Sequence, residues 1–311
     1  MAVAAAGRTD AGAPRPVPTR LIMAVATIEG IDTWYEFRGD GPLLVLTHGF
    51  AGPTTAWPPV VNEVAEHVRL LVYDVRGHGK TSLPDAATFS VPQFAADLAA
   101  LLDHLGIDRA HIGGVSMGGM ISAQFACDYP DRVRSLLLMD TTAGNQGDPE
   151  TAPVEGELIT IFERLEAIVQ KYGLKGLVER ENRYRHESDP HAAKGSFSLE
   201  EQDARNWRKA EDMTEAGFIA ANVALRTRPD LTSRTPSITA PTLVSCGEWD
   251  MFYPCAVRDH RLIGNSRLAT IRGAAHDTVN YTPQRWKRAV LNFIADVEAG
   301  RDVRGEVEYA G

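Results

Sequence analysis

The stretch Gly113-Gly114-Val115-Ser116-Met117-Gly118-Gly119 decides how the rest of the chain is read. An apolar run at 110–115 leads into it, and Met120, Ile121 and Phe125 follow at helical spacing. The pattern is a strand, a sharp turn and a helix. Gly114 and Gly118 supply the room that such a turn needs where two backbone segments fold close together. Ser116 then stands exposed at the C-terminal end of a strand, under backbone strain. The helix behind it offers free N–H groups and the positive end of a dipole to a developing oxyanion, Met117 N–H first among them. The competing reading, a Gly-rich turn with an incidental serine, does not account for an apolar strand on one side and an apolar helix on the other.

Outward from this turn, short apolar runs alternate with helical patterns, which predicts a mostly parallel α/β sheet flanked by helices. Candidate strands lie at 43–47, 70–73, 110–115, 134–139, 242–246 and 268–272, after an opening hairpin at 27–38 that turns at Gly30. Several are almost wholly apolar, as strands covered on both faces should be. Ser90 is placed to cap a helix carrying Phe94, Leu98, Leu101, Leu102 and Leu105 on one stripe, with Gly106 as terminator. Trp286, Val290, Leu291, Phe293 and Ile294 form a second such stripe.

Residues 142–232 break the rhythm: helices are expected at 158–172 and 199–225, with a polar loop at 181–195. The expected organisation is a flexible leader at 1–23, a core at 24–141 and 233–300, a helical cap at 142–232 inserted after the sixth strand, and a mobile charged tail at 301–311. The Ala-, Pro- and Arg-rich leader lacks the order of a secretory signal, basic residues and then an apolar stretch, so a cytoplasmic location is expected, with Met23 as an alternative start.

A serine hydroxyl is a weak nucleophile at neutral pH; it needs a base, and the base needs an orienting acid. Asp250, in the turn Gly-Glu-Trp-Asp-Met-Phe-Tyr-Pro at 247–254, and His276, in Gly-Ala-Ala-His at 273–276, each follow a candidate strand. Serine, acid and base thus fall just beyond strand C-termini, where open parallel sheets gather their sites. Asp140 ends another strand and rivals Asp250. The remaining histidines fit structural roles: His67, His104 and His260 near helices, His111 inside a strand, His48 and His78 in tight turns. His48-Gly49-Phe50, after the strand at 43–47, is where a second backbone oxyanion donor would come from.

With these motifs in place, residues 24–300 resemble an α/β-hydrolase of the capped, esterase-like kind. The resemblance rests on His48-Gly49-Phe50, Asp74-Val75-Arg76-Gly77-His78-Gly79, the turn at Ser116, Asp250 and His276. It implies Ser116 as nucleophile, His276 as base, Asp250 as its orienter, and the Phe50 and Met117 N–H groups as oxyanion donors. The insertion matches the family's lid, whose Ile159, Ile161, Phe162, Leu165, Ile168, Val169, Phe218 and Ile219 could line an apolar pocket or pack onto the core. Phe162, Leu165, Trp249 and Phe252 are the expected substrate contacts. The implied activity is hydrolysis of a small or medium carboxylic ester. Lactonase, carbon–carbon bond hydrolase, perhydrolase (haloperoxidase-like) and non-catalytic ligand-binding members are the alternatives. Val115 and Asp277 stand where carbon–carbon bond hydrolases usually carry Asn and Trp, which disfavours that class. A serine at the turn argues against epoxide hydrolases and dehalogenases, which use a carboxylate there.

Composition narrows the partners. The 311 residues are 44% apolar and 23% charged, and 32 Lys and Arg face 41 Asp and Glu for a formal charge of −9. An acidic chain gains no general attraction for nucleic acid. No apolar run reaches the roughly 20 residues of a membrane span. Cys127, Cys246 and Cys255 read as free thiols rather than a disulfide framework. Gly79-Lys80-Thr81 imitates a phosphate-binding loop but has Asp74 where the first glycine belongs. His186-Glu187-Ser188-Asp189-Pro190-His191 reads as a solvated loop rather than a metal site. No cofactor and no metal are expected, and the chain is expected to act on a small-molecule ester or lactone as a monomer or homodimer.

Overall fold

Side chains on a strand alternate between its two faces, and on the central strands both sets are apolar. β3 (Leu43–Thr47) sends Leu44 and Leu46 into one buried cluster and Val45 into another; β6 (Val133–Met139) divides Leu137 and Met139 from Leu136 and Leu138 in the same way. Such strands need cover on both sides. The structure, a computed structural model that describes residues 22–144, 148–188 and 197–310, supplies it with helices. The two clusters contain α2 (Val91–His104), α3 (Met117–Asp128) and α7 (Tyr253–Leu262) on one face, and α1 (Val60–Ala65) and α9 (Pro283–Glu298) on the other.

Among the described residues the sheet has nine strands. The others are β1 (Ile22–Ile28), β2 (Ile31–Arg38), β4 (Arg69–Tyr73), β5 (Ala110–Val115), β7 (Thr242–Gly247), β8 (Ser266–Ile271) and β9 (Gly305–Tyr309), in the order β1-β2-β4-β3-β5-β6-β7-β8-β9. β1 and β2 form an antiparallel hairpin, β2 pairs antiparallel with β4, and every later neighbour is parallel. Parallel pairing brings the C-terminal ends of β3 through β8 to one edge. This is the α/β-hydrolase fold.

Local signals explain the individual helices. Ser90 Oγ accepts the Gln93 N–H at 3.2 Å to cap α2, and Gly106 ends it at φ +66°. In α9, Trp286, Val290, Phe293 and Ile294 are buried, and Trp286 Nε1 donates to Met139 Sδ at 3.2 Å.

Among the described residues, three α-helices stand between β6 and β7: α4 (Ala152–Glu187), interrupted by Gly173 at φ 69°, α5 (Leu199–Glu211) and α6 (Glu215–Arg226). Two expectations change here. The region 199–225 is two helices, because Thr214 caps α6 by accepting the Gly217 N–H and Met213 bridges His78. The polar segment from 181 is helical as far as Glu187, with Ser188 at its end; 189–195 of that expected loop, including His191, lie outside the described residues, as do 1–21 of the expected leader. His186 Nε2 meets Asp203 Oδ2 at 2.8 Å, an α4–α5 contact.

Hydrogen bonds fasten the insertion at two places, the first of them buried. Arg258 on α7 bonds Thr142 Oγ1, Thr151 Oγ1 and the Gly144 carbonyl, and Asp259 accepts the Ala143 N–H at 2.9 Å. At the far side, Gly79 N–H donates to the Asp212 carbonyl at 3.0 Å and Arg205 donates to the Ala56 carbonyl at 2.7 Å.

The chain's end departs from expectation. Residues 305–309 form β9 beside β8, with Ile271 opposite Tyr309, instead of a mobile tail. Its sequence, Gly-Glu-Val-Glu-Tyr, is short and carries two charges, the composition of an edge strand and easily mistaken for a solvated tail. At the other end β1 includes Ile22 and Met23, so the sheet starts inside the expected leader.

Trp286 is fully buried. Trp286→Ala should cost about 3–5 kcal/mol of stability in urea denaturation, with the cooperative transition retained; a loss under about 1 kcal/mol would show that α9 does not seal that face.

Candidate active site

Ser116 follows β5 with φ 55° and ψ −115°, a backbone conformation that costs a side-chain-bearing residue about 1–3 kcal/mol. Its surroundings hold it there. The Ser116 N–H donates to the Met139 carbonyl at 2.9 Å, and its own carbonyl accepts from Thr141 Oγ1 at 2.8 Å and from Met120 N–H at 3.1 Å. The turn closes because a methyl group on Gly114 would overlap the Gly118 backbone, and one on Gly118 would overlap the Thr47 carbonyl. Those are the two glycines singled out in the sequence.

The loops after β5, β7 and β8 bring three expected residues together. Ser116 Oγ lies 3.1 Å from His276 Nε2, and His276 Nδ1 lies 2.9 Å from Asp250 Oδ2. The hydroxyl donates to Nε2 and Nδ1–H donates to the carboxylate. Asp250 is buried, its Oδ1 accepts the Phe252 N–H at 3.0 Å, and its Oδ2 also receives the Cys246 thiol at 3.5 Å. Trp249 N–H donates to the Ala274 carbonyl at 3.0 Å, so the acid loop and the base loop are tied directly.

Asp140, the rival acid, occupies a different post. Its Oδ2 accepts both the N–H and the hydroxyl of Thr278, at 2.7 and 2.8 Å, which pins the chain just past His276; Oδ1 has no partner. Burial and the neighbouring Asp250 charge raise its carboxyl to about 7. Asp140, Cys246 and Asp250 present atoms within 4.8 Å of one another, the one group of that kind among the described residues. They do not suit a metal ion: Asp250 is engaged by His276, and burial lifts the Cys246 thiol well above its ordinary range, so it stays a donor.

His276 carries the opposing influences of its position. Protein atoms surround the ring, so burial works against its charge, although 43% of its side chain still meets solvent through the cavity. The Asp250 carboxylate outweighs burial, with help from Asp140 and Asp277, and raises the imidazole to about 9. The Phe252 ring meets it edge-on at 5.4 Å.

His48 is a structural histidine. Val75 N–H donates to its Nε2 at 3.0 Å, so Nδ1 carries the hydrogen and donates to the Gly49 carbonyl at 2.8 Å. That neutral tautomer agrees with burial lowering its pKa to about 4. Asp74, at the end of β4, accepts from Thr54 N–H at 2.7 Å and Lys80 N–H at 2.9 Å, tying its own loop to the one that contains Phe50. Gly49 lies close beside Ser116: a Cβ on it would come 3.7 Å from the serine Cβ. Met117 opens α3, where the first N–H groups have no helical carbonyl to bond.

Ser116 and His276 open onto a cavity of about 420 Å³. Its apolar wall includes Phe50, Phe162, Leu165, Leu174, Leu177 and Phe218, with Phe252 beside His276. Ile161 also lines it, whereas Ile168, Val169 and Ile219 pack into a core cluster within the insertion. Trp249 is not among the lining residues; it is 38% exposed, with its ring near Gly273. The polar part of the lining, Glu181, Asn206 and Lys209, was not legible in the sequence, because isolated polar residues on helices read as solvated faces.

Comparison with known proteins agrees with this geometry. A family model described as the alpha/beta hydrolase fold matches residues 42–276. A candidate 2-succinyl-6-hydroxy-2,4-cyclohexadiene-1-carboxylate synthase of Bacillus subtilis is 28% identical over 281 residues, 85% of this chain and 95% of that protein. A pimeloyl-[acyl-carrier protein] methyl ester esterase of Aeromonas hydrophila is 24% identical over 262 residues, covering 83% and 98%. A solved thermophilic esterase from Thermogutta terrifontis superposes with a TM-score of 0.72 at 26% identity, covering 89% of this chain and 99% of that one. The match spans most of the chain and includes the turn at Ser116, and the chain belongs to the alpha/beta hydrolase fold family.

Proposed function

We propose that this hydrolase cleaves carboxylic esters by two-step acyl transfer. The observation that carries the reading is the unbroken chain from Ser116 Oγ through His276 to Asp250 at the wall of a largely apolar cavity. Ser116 attacks the ester carbonyl while His276 takes its proton, and the Phe50 and Met117 N–H groups hold the oxyanion. His276 then gives that proton to the departing alcohol. Water attacks the acyl-enzyme through the same base and restores the serine. Asp250 keeps the imidazole in the Nδ1–H tautomer and stabilises the imidazolium. Helices α4–α6 act as a cap, supplying most of the apolar wall that receives the acyl or alcohol part. The pimeloyl-[acyl-carrier protein] methyl ester esterase and the thermophilic esterase among the similar proteins support an ester substrate. Among the described residues no helix is long and apolar enough to cross a membrane.

Hydrolysis of p-nitrophenyl esters from acetate to decanoate tests the reading. The wild type should turn over the short and middle members, and Ser116→Ala should lose several orders of magnitude. Activity that survives this substitution would remove Ser116 as nucleophile.

The acid assignment has its own test. Asp250→Asn should lower kcat by about 10⁴, the loss known for the equivalent change in a serine protease, whereas Asp140→Asn should stay within about tenfold of wild type. The reverse ranking would transfer the orienting role to Asp140.

The base works only when neutral, so kcat/KM should rise with pH as His276 loses its proton. The rising limb is expected above the ordinary 6.5 and toward 9, because the carboxylates favour the charged form. Asp250→Asn removes the main attraction and should move the residual activity's limb to lower pH. A limb that stays in place would show that His276 is not the group titrating.

A further inference from the structure

The cavity has two unlike ends. Away from its apolar wall, α4 contributes Glu181 and α5 contributes Asn206 and Lys209, and these three also line an adjoining polar chamber of about 290 Å³ that shares His276, Asp277 and Asn280 with the first. The reacting serine and histidine thus lie between an apolar compartment and a charged one.

The cations of the polar chamber differ in what they already hold. Arg185 is engaged by Asp203 and by Asn182, and Arg205 is spent on the Ala56 carbonyl and Asn280 Oδ1. Lys209 makes no hydrogen bond and no ion pair with any described residue, and it is partly buried on the cavity wall. Glu181, on the same wall, is not within ion-pair distance of it. Glu181 attracts the ammonium only through space, so the ammonium's donors remain available to an anion that brings acceptor oxygens. Its charge reaches the buried His48, where it adds to the lowering of that imidazole.

The chemistry of the surroundings selects the anion. Glu181 and Asp277 border the same space, so a dianion such as a phosphate monoester would meet repulsion from both. A single carboxylate can pair with the Lys209 ammonium while its chain runs past Ser116.

Resting on the serine-hydrolase reading above, we propose that Lys209 anchors a carboxylate subsite, and that the preferred substrate is an ester or lactone bearing a free carboxylate on the part that reaches the polar chamber. Lys209 is then a specificity residue, touching the substrate's far end and not its reacting carbonyl.

Two measurements test the proposal. The first compares mono-p-nitrophenyl glutarate with p-nitrophenyl butyrate. Wild type should favour the carboxylate ester, and Lys209→Met should lower the ratio of the two kcat/KM values by about 10–100-fold, the range for a lost hydrogen bond to a charged group, mainly through KM. Lys209→Arg, which keeps the charge, should restore part of the ratio. A ratio that Lys209→Met leaves unchanged overturns the subsite while Ser116-dependent butyrate hydrolysis leaves the esterase reading intact. The second is calorimetric titration of the Ser116→Ala protein with hexanoate and hexanamide, which needs no turnover. Hexanoate should bind more tightly than hexanamide and lose at least about tenfold when Lys209→Met is added. Equal binding of the two probes overturns the subsite even if neither ester is hydrolysed, an outcome that would separately sink the esterase reading.

Discussion

Ser116 is held in a backbone conformation that its side chain opposes, and that strain is sustained by the close approach of three backbone segments. Gly118 packs on the Thr47–His48 peptide, Gly114 packs on Gly118, and Thr141 bonds the serine carbonyl. Relaxing any of these would let the turn unwind and withdraw the hydroxyl from His276. The same packing brings β3, β5 and the start of the loop after β6 within contact, so the residues that follow each strand are delivered to one small region. The rigid parallel sheet beneath, closed above by α1 and α9 and below by α2, α3 and α7, keeps those segments from separating.

Around this turn the ionisable groups are sorted by what surrounds them. His48 and His78 are enclosed without a carboxylate bonded to either ring, and burial keeps both well below the usual imidazole range. His276 is only partly buried and faces Asp250 directly, and its pKa moves the opposite way. Asp140 shows the cost of placing two buried carboxyls close together: with Asp250 engaged by the imidazole, Asp140 becomes the reluctant acid and serves by holding Thr278. Three histidines and two aspartates of ordinary chemistry thus acquire distinct functions from neighbours alone.

The insertion does two jobs that compete for its residues. Its Val169, Leu174, Leu177, Met213 and Phe218 form a small core of their own, and its polar anchors at Asp212, Arg205 and the Arg258 network fasten it to the sheet's edge. Leu174, Leu177, Met213 and Phe218 serve both, since they also line the cavity. Helical periodicity names the apolar stripes but not which of the two inner surfaces each serves, and Gly173 changes the helix direction midway, so the stripes of α4 cannot be read as one continuous face.

The sequence by itself determined the turn at Ser116, the parallel α/β sheet, His276, and a choice of acid between Asp250 and Asp140. Each of these rests on local chemistry: a glycine pattern that only a sharp turn tolerates, strands apolar on both faces, and polar residues placed just past strand ends. Tertiary structure alone decided the rest. It separated Asp250 from Asp140, because both end strands and only the path of the following loop says which carboxylate meets His276. It turned residues 305–309 into an edge strand, since pairing with β8 supplies hydrogen bonds that so short a charged segment cannot form on its own. It set Lys209 and Glu181 on the cavity wall and left Trp249 outside it, because the direction a side chain faces depends on how helices and loops pack, which spacing along the chain does not record.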